Sequence, residues 1–480
     1  MEFLLSIIAL LYILLALLAS GHALLNKRDP RAALSWIVIC IIFPIIGSLF
    51  YFLFGINRVQ TRARRLHRHS SLPQVANQTI GRSGNTPGDV TCREFKFPDR
   101  CQSVINVSNA VTQWPLTTGN TIEILYNGDQ AYPEMLHAIR SATQSVYLTS
   151  YIFDNDEAGQ EFIEALSDAQ KQGVEVKVLV DGIGELGWMR RASTLLRKHN
   201  ITVERFLPLT FRPPAFYVNL RNHRKILIID GCIAFTGGMN ISKRHIVHDG
   251  SHKGSVVDLH FRLAGPIVSQ IENVFIQDWQ FVTEEKLTPT PKNQLPAGNA
   301  LCRTIVDGPN DNVDKLAIIL IGAVSAAQQR IVIMTPYFLP SNELIAALQS
   351  ASLRGVEVII LLPGKNDSRL VHWATRNLLW QLLQFNVRVY YQPGPFVHSK
   401  LFIVDDYYVL FGSANIDPRS LRLNFELVVE TYDFSLVEQL SAHIAQKIEL
   451  AEEVSLEVLE NRPFLIRVRD ALAWLWAPYL

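Results

Sequence analysis

Two apolar runs stand at the start of the chain, ahead of a long region of mixed pattern. Residues 3–20 and 33–54 are almost wholly apolar, and each approaches the roughly 20 residues that a helix needs to cross the hydrocarbon of a membrane. No positive charge precedes the first run and a second run follows at once, which disfavours a cleaved signal peptide. The pattern therefore predicts an N-terminal anchor over residues 1–56, made of two transmembrane helices.

The rest of the chain predicts two folded domains separated by polar linkers. Linkers are predicted at residues 57–113, largely polar and rich in Gly and Pro, and at residues 284–299, which hold three prolines. Elsewhere short apolar strands, such as residues 145–151 and 174–180, alternate with helical patterns. This alternation predicts an α/β fold, with mixed, mostly parallel sheets flanked by helices, in domains of residues 114–283 and 300–480.

Composition narrows the classes of protein that fit this pattern. A chain of 480 residues is too long for one hydrophobic core. Its 45 basic and 44 acidic residues nearly cancel, which disfavours a dedicated nucleic-acid binder. The five cysteines include no C-x-x-C pair, so we predict reduced, structural thiols and no zinc site.

The two predicted domains contain the same string, in which His-x-Lys is followed by four residues and Asp. The copies run from His223 to Asp230 and from His398 to Asp405. In each copy an asparagine lies 17 positions after the histidine, at the end of a turn of small residues. Strand, helix and strand also recur in the same order before each copy. The chain is therefore predicted to contain an internal duplication.

The duplicated string suits phosphodiester chemistry if the two domains pack about a pseudo-two-fold axis. One neutral imidazole would attack phosphorus and the other, protonated, would donate to the departing alkoxide, through a phosphohistidine. Fixed cations and amides would stabilise the phosphoryl oxygens, so no metal or cofactor is required. The candidate catalytic residues are His223, Lys225, Asp230, His398, Lys400 and Asp405, and the candidate phosphate-binding residues are Asn240, Asn415, Gly238 and Ser413.

Acidic residues are predicted to play two supporting roles. Alternate side chains of a strand share a face, so Asp230 and Asp405, seven positions after their histidines, are predicted to brace the motif more than to touch substrate. A catalytic histidine usually needs a carboxylate on its other ring nitrogen. Asp258 and Glu426, in apolar contexts, are the candidates, with an ordinary strand-edge position as the alternative for each.

These strings resemble the paired signature of the phospholipase D superfamily, whose two halves form one two-histidine site. The segment Asn222-His-Arg-Lys225, the turn from Ala234 to Ile241 and the apolar hairpin are similar to those of bacterial cardiolipin synthases. The resemblance implies phospholipid substrates: two phosphatidylglycerol molecules would be condensed to cardiolipin and glycerol. His223 is the favoured nucleophile, although the pseudo-symmetry leaves His398 open.

The resemblance also implies a multi-pass protein of the bacterial inner membrane. More arginines follow the second apolar run than lie between the two runs, so the positive-inside rule predicts that the catalytic domain faces the cytoplasm. Residues 463–480 combine arginines with Leu and Trp, and we predict either a segment in the membrane interface or a docked terminal helix. The oligomeric state stays open.

Three other classes of function remain as alternatives. A phospholipase D or a phosphatidylserine synthase would use the same site with water or serine as acceptor. A membrane-tethered phosphodiesterase on nucleic acid would need a basic stripe interleaved with aromatic residues, which the sequence lacks. A non-catalytic scaffold is disfavoured because both copies of the string are intact.

Overall fold

The computed structural model describes residues 2–27, 30–55, 97–99, 101–185, 191–208, 210–211, 214–215, 220–247, 254–290, 296–308 and 314–477. These residues belong to two compact units. The smaller unit is residues 1–69 with 209–218, and the larger unit is residues 70–208 with 219–480. Most of the predicted linker at 57–113 lies outside the described residues.

The smaller unit contains three apolar helices: α1 (Glu2–Asn26), α2 (Pro30–Ile42) and α3 (Pro44–Phe50), followed by a π-helical turn, Tyr51–Gly55. They pack around Trp36, Cys40 and Tyr51. Pro44 begins a new helix because proline is suited to the first helical position, so the second predicted span is divided. Among the described residues, none of these helices is both long and apolar enough to cross a membrane. The prediction of two transmembrane helices therefore finds no match among them.

The larger unit alternates helices with short strands. Its helices are α4 (Cys101–Val111), α5 (Asn127–Arg140), α6 (Glu157–Lys171), α7 (Ala192–Lys198), α8 (Ile267–Thr283), α9 (Lys315–Ala326), α10 (Asn342–Leu353), α11 (Arg369–Leu378), α12 (Trp380–Leu383), α13 (Pro418–Arg422), α14 (Phe434–Glu449), α15 (Leu456–Glu460) and α16 (Phe464–Leu475). Its strands, together with two short ones of the smaller unit (β5 and β6), are β1 (Thr117–Tyr126), β2 (Ser145–Ser150), β3 (Glu175–Asp181), β4 (Thr202–Phe206), β5 (Thr210–Phe211), β6 (Pro214–Ala215), β7 (Ile226–Ile229), β8 (Ile233–Gly237), β9 (Val256–Val257), β10 (Leu259–Ala264), β11 (Ala300–Asp307), β12 (Arg330–Met334), β13 (Glu357–Pro363), β14 (Arg388–Gln392), β15 (Phe396–Val397), β16 (Leu401–Val404), β17 (Tyr408–Gly412), β18 (Glu426–Tyr432) and β19 (Glu452–Glu453).

One sheet of the larger unit runs through both copies of the duplication. Its strand order is β19-β14-β13-β12-β16-β17-β18-β11-β1-β10-β8-β7-β2-β3-β4. Read outward from the β1–β11 junction in the middle, the two halves follow corresponding orders. The junction itself is antiparallel, with Thr117 opposite Cys302 and Asn120 opposite Ala300. The α/β fold of two similar halves about a pseudo-two-fold axis is therefore present.

The sheet is mixed, but the prediction of mostly parallel strands is wrong. Among the described strands of this sheet, parallel pairing occurs where a helix connects the strands. The parallel pairs are β2 with β3 and β3 with β4 in the first half, and β12 with β13 and β13 with β14 in the second. The motif strands β7 and β8 are separated by three residues and pair antiparallel. So short a connection permits only antiparallel neighbours, whereas parallel strands need a crossover of a dozen or more residues.

Helix α4 lies inside the segment predicted as a linker. Its buried side chains Cys101, Val104 and Ile105 belong to the hydrophobic core of the second half. The polar side of α4 is fixed as well, because Ser108 Oγ donates to the fully buried Glu430 at 2.7 Å. Cys101 is disulfide-bonded, so the prediction of five reduced thiols is also wrong for this residue.

Candidate active site

The segments that carry the two histidines each pair with the opposite half of the duplication. The amide of His223 donates to the carbonyl of Phe425 at 3.0 Å, and the amide of His398 donates to the carbonyl of Val257 at 2.8 Å. The residue that follows each of these acceptors is a predicted orienting acid. This exchange of backbone hydrogen bonds brings both motifs to one place between the halves.

Each imidazole is held by a carboxylate from the other half. Nδ1 of His223 lies 3.1 Å from Oε1 of Glu426, and Nδ1 of His398 lies 2.8 Å from Oδ2 of Asp258. Both carboxylates are fully buried. The imidazole side chains are only 12% and 11% exposed, so both rings are largely buried. The structure thus contains the two His–carboxylate pairs, each crossing between the halves.

Burial and nearby charges favour the neutral form of both histidines. Burial lowers the pKa of His223 although Glu426 opposes the shift. Burial, together with the charges of Lys400 and Lys225, holds the pKa of His398 well below its ordinary value. The charge of His223 also lowers the pKa of His398, which places the two rings in one electrostatic environment. Burial raises the pKa of Glu426, but the nearby cations outweigh burial and the pKa is lowered, so this carboxylate is ionised.

The motif lysines are buried beside the histidines. Nζ of Lys225 donates to the carbonyl of His223 at 2.6 Å, and Nζ of Lys400 donates to the carbonyl of His398. Burial lowers the pKa of Lys225 to about 7 and that of Lys400 to about 8, although the nearby carboxylates of Glu426 and Asp258 oppose both shifts. Two buried ammonium groups at one site favour a ligand with negative charge.

The candidate phosphate-binding residues differ between the halves. Asn240 accepts from the amide of Ile152 at 3.2 Å through its carbonyl oxygen, and its NH₂ group has no partner among the described residues. Asn415 donates to Ser420 at 3.3 Å. Ser413 donates to Glu426 at 2.5 Å, so its hydroxyl supports the carboxylate. Gly238 occupies the matching turn position.

The glycine at that position is required by packing. A Cβ built on Gly238 would lie 2.5 Å from both carboxylate oxygens of Asp258. The carboxylate of Asp258 therefore packs against a glycine, whereas the carboxylate of the longer Glu426 accepts a hydrogen bond from the Ser413 hydroxyl. The two turns match in position but support their carboxylates by different contacts.

The motif aspartates lie at the far ends of their strands and bind backbone. Asp230 accepts hydrogen bonds from the amides of Thr143, Gln144 and Ser145 at 2.7 to 2.9 Å. Asp405 accepts from the matching amides of Gln328, Gln329 and Arg330. These contacts tie the turn after each motif strand to the start of β2 or β12. Of the candidates proposed as catalytic, these two are the ones that the structure keeps away from the imidazoles.

Two tyrosines lie beside the histidines, and the sequence alone predicted no role for them. The ring of Tyr151 meets His223 edge-on at 5.1 Å between centroids, and that of Tyr337 meets His398 at 6.4 Å. Each follows the corresponding strand, in Thr149-Ser-Tyr151 and Thr335-Pro-Tyr337. Their matching positions in the repeat were the signal that could have identified them.

The architecture and the converging histidine pairs define a phospholipase D-like protein. The chain belongs to the family described as "Cardiolipin synthase, PLD-like domain", which matches residues 135–279 and 320–448, more than half of the chain. A second family, described as "Phospholipase_D-nuclease N-terminal", matches residues 4–55.

Curated relatives extend over nearly the whole chain. The Major cardiolipin synthase ClsA of Bacillus subtilis is 30% identical over 99% of both chains. The Probable cardiolipin synthase YwiE of the same organism is 31% identical, covering 98% of this chain and 93% of the relative. Cardiolipin synthase A of Pseudomonas putida is 29% identical over 97% and 96%. Among solved structures, phosphatidylserine synthase of Haemophilus influenzae aligns with a TM-score of 0.62 at 17% identity over 80% of this chain and 100% of that one, which supports the fold alone.

Proposed function

We propose that this protein is a cardiolipin synthase that transfers a phosphatidyl group from one phosphatidylglycerol to another. The observation that carries the proposal is the pair of buried imidazoles, His223 and His398, each hydrogen-bonded to a carboxylate of the opposite half. Such pairs suit a nucleophile and a general acid/base acting on one phosphorus. Membership of the cardiolipin synthase family supports this substrate class.

In this reaction Nε2 of His223 attacks the phosphorus of the first phosphatidylglycerol. The bond to the headgroup glycerol breaks, His398 donates a proton to that oxygen, and glycerol leaves. Neutral His398 then takes a proton from a headgroup hydroxyl of the second phosphatidylglycerol. The oxygen of that hydroxyl attacks phosphorus and breaks the P–N bond, which yields cardiolipin and restores His223.

The contacts of the ring nitrogens favour this assignment of the two histidines. Nζ of Lys400 lies 3.1 Å from Nε2 of His398. The described residues offer no hydrogen-bond partner to Nε2 of His223, so its lone pair is available for attack. The phosphodiester anion would offset the lysine charges that depress the pKa of His398 and so favour its protonated form.

The candidate phosphate ligands are the two lysines with Asn240 and Asn415. Cations and amide groups fixed in a buried site stabilise charge on phosphoryl oxygens strongly, because little reorganisation is needed. For Gly238 and Ser413 we propose support of the orienting carboxylates, and for Asp230 and Asp405 support of the fold. The domain limits at 114–283 and 300–480 stay predictions.

The enzyme is proposed to act at a bacterial cell membrane, attached through residues 1–56. Many apolar side chains of α1 to α3 are exposed; Leu10, Leu17 and Leu18 are each more than 60% exposed. Large exposed apolar surfaces of this kind mark sites of contact with a membrane or another protein. A lipid substrate explains why the catalytic unit would be held beside a bilayer. The multi-pass arrangement stays a prediction.

The cytoplasmic orientation also stays a prediction, and one feature opposes it. Cys101 is disulfide-bonded, and disulfides persist mainly in oxidising compartments. Cys232 is a free, exposed thiol of the catalytic unit. Labelling of intact cells with a membrane-impermeant maleimide would leave Cys232 unmodified if the unit faces the cytoplasm, with lysed cells as the control for reactivity.

The direct test of the function is incubation of the purified full-length protein with radiolabelled phosphatidylglycerol alone. We expect cardiolipin and glycerol in equal amounts. Phosphatidic acid without cardiolipin would indicate a phospholipase D, and a requirement for serine would indicate a phosphatidylserine synthase. Either result would contradict the proposal.

A further inference from the structure

Helix α16 (Phe464–Leu475) exposes its apolar side, whereas an ordinary surface helix packs its apolar side against the protein core. Six large apolar side chains at its exposed face are 39% to 78% exposed. At 100° per residue they fall within one arc of about 120°. The residues that form this arc, which we call the α16 apolar face, are Phe464, Leu465, Val468, Leu472, Leu475 and Trp476.

The opposite side of α16 is fixed to the catalytic unit by charge. Asp470 is fully buried and accepts hydrogen bonds from Arg376 on α11 at 2.7 and 2.8 Å. Arg462 and Arg469 bind the same carboxylate, and the guanidinium of Arg469 stacks over Trp373 at 4.3 Å. A helix anchored in this way cannot turn its apolar face inward without leaving a buried carboxylate unpaired, which is costly.

Two arginines flank the exposed face. Arg467 lies about 60° beyond the Phe464 edge of the arc and Arg469 about 20° beyond the Trp476 edge. Arg467 makes no ion pair among the described residues, whereas Arg469 is paired with Asp470. Trp476 supplies an amphipathic ring of the kind that prefers the boundary between membrane and water. A helix with an apolar face, basic borders and aromatic residues matches segments that lie in the surface of an anionic bilayer.

We propose that the α16 apolar face inserts into the surface of a bilayer that contains anionic phospholipid, as a second membrane contact besides residues 1–56. Lys and Arg side chains next to such a face each add attraction to anionic lipid. Two separate contacts would limit the orientations that the catalytic unit can adopt at the bilayer surface. This role of α16 does not depend on which lipid reaction the site performs.

Membrane depth at α16 is the direct measurement. The full-length Cys232→Ser protein carries an environment-sensitive fluorophore on Leu472→Cys and is reconstituted in vesicles of 30% phosphatidylglycerol in phosphatidylcholine. We expect a blue shift and strong quenching by nitroxide lipids, but weak quenching by iodide. The control label is placed at Leu450→Cys, because Leu450 is 71% exposed but lies outside α16, and it should stay accessible to iodide.

Three outcomes would overturn the proposal. The Leu472 label could respond like the Leu450 label, it could insert equally into pure phosphatidylcholine, or it could be shielded in detergent without lipid because a second copy or a protein covers it. Light scattering in detergent identifies the last case.

A second readout uses activity. The variant Leu465→Ser/Leu472→Ser/Trp476→Ser should raise KM for phosphatidylglycerol in vesicles about tenfold and leave the rate with water-soluble dibutyryl-phosphatidylglycerol unchanged. The matched control Leu353→Ser/Leu450→Ser removes two equally exposed leucines elsewhere and should change neither rate. An unchanged KM with vesicles would contradict the proposal. If the wild type produces no cardiolipin, the proposed function fails, whereas the depth measurement still decides the role of α16.

Discussion

The two halves of the catalytic unit have the same strand order but unequal histidine environments. In the first half Nζ of Lys225 donates to the carbonyl of His223 and makes no hydrogen bond to that ring among the described residues, whereas in the second Nζ of Lys400 lies within 3.1 Å of both ring nitrogens of His398. Glu426 accepts a hydrogen bond from the Ser413 hydroxyl, whereas Asp258 accepts one from the amide of Leu259 and lies against Gly238. The duplicated fold thus places the two histidines at equivalent positions. The differences between their neighbours are the basis for proposing different roles for them.

Removal of either imidazole tests whether the roles are distinct and carries the largest expected effect. His223→Asn should lower turnover by at least about 10⁴-fold, because no nucleophile remains, and His398→Asn by about 10² to 10⁴-fold. With a p-nitrophenyl phosphatidyl ester, whose leaving group needs no proton, His398→Asn should still form the covalent adduct. Rapid quench and mass spectrometry would locate the phosphoryl group.

An adduct on His398 in the His223→Asn variant would reverse the assignment. Equal loss of adduct formation in both variants with the activated ester would show that the roles are not separated in the way we propose.

Exchange of the turn residues tests the unequal support of the carboxylates. Gly238→Ser should reduce kcat about 10- to 100-fold, because its Cβ would displace Asp258 and misplace His398. Ser413→Gly only removes one hydrogen bond to Glu426 and should cost about three- to tenfold. Steady-state kinetics with thermal unfolding as the folding control would measure both. Equal effects would mean that the two supports are equivalent.

The pH dependence distinguishes the two lysines. Anion binding needs their protonated forms, and burial lowers the pKa to about 7 for Lys225 and about 8 for Lys400 in the free enzyme. The value of kcat/KM should therefore fall about tenfold as the pH rises from 7 to 8, and more steeply above pH 8. In Lys225→Arg the guanidinium stays charged, so the first decline should disappear while the decline near pH 8 persists. An unchanged alkaline profile in this variant would exclude Lys225 from phosphate binding.

The motif aspartates should behave alike, because their contacts match in the two halves. Asp230→Ala and Asp405→Ala each remove the acceptor of at least three backbone amides and should lower the free energy of unfolding by about 1 to 3 kcal/mol. At 20 °C, below unfolding, turnover should change less than threefold. Calorimetry and activity on the same samples would measure this. A loss of turnover beyond 100-fold in a folded variant would make these residues catalytic.

Local pattern was sufficient to predict the duplication and to identify the candidate residues that the structure brings together. Two strings with the same spacing identify His223 and His398, because a strand fixes which side chains share a face. The bracing of backbone by Asp230 followed from its odd offset in the same way. Alternation of strands and helices was likewise enough for the α/β class.

Contacts between distant segments were decided only by the tertiary structure. The exchange of Asp258 and Glu426 between the halves, the tyrosines beside the imidazoles and the outward apolar face of α16 all depend on which segments meet, and spacing along the chain carries no such information. The mostly parallel sheet was predicted wrongly because apolar runs give strand positions but not strand direction, which the connections decide. The pattern of a sequence determines local geometry, whereas packing determines which distant side chains share a buried site.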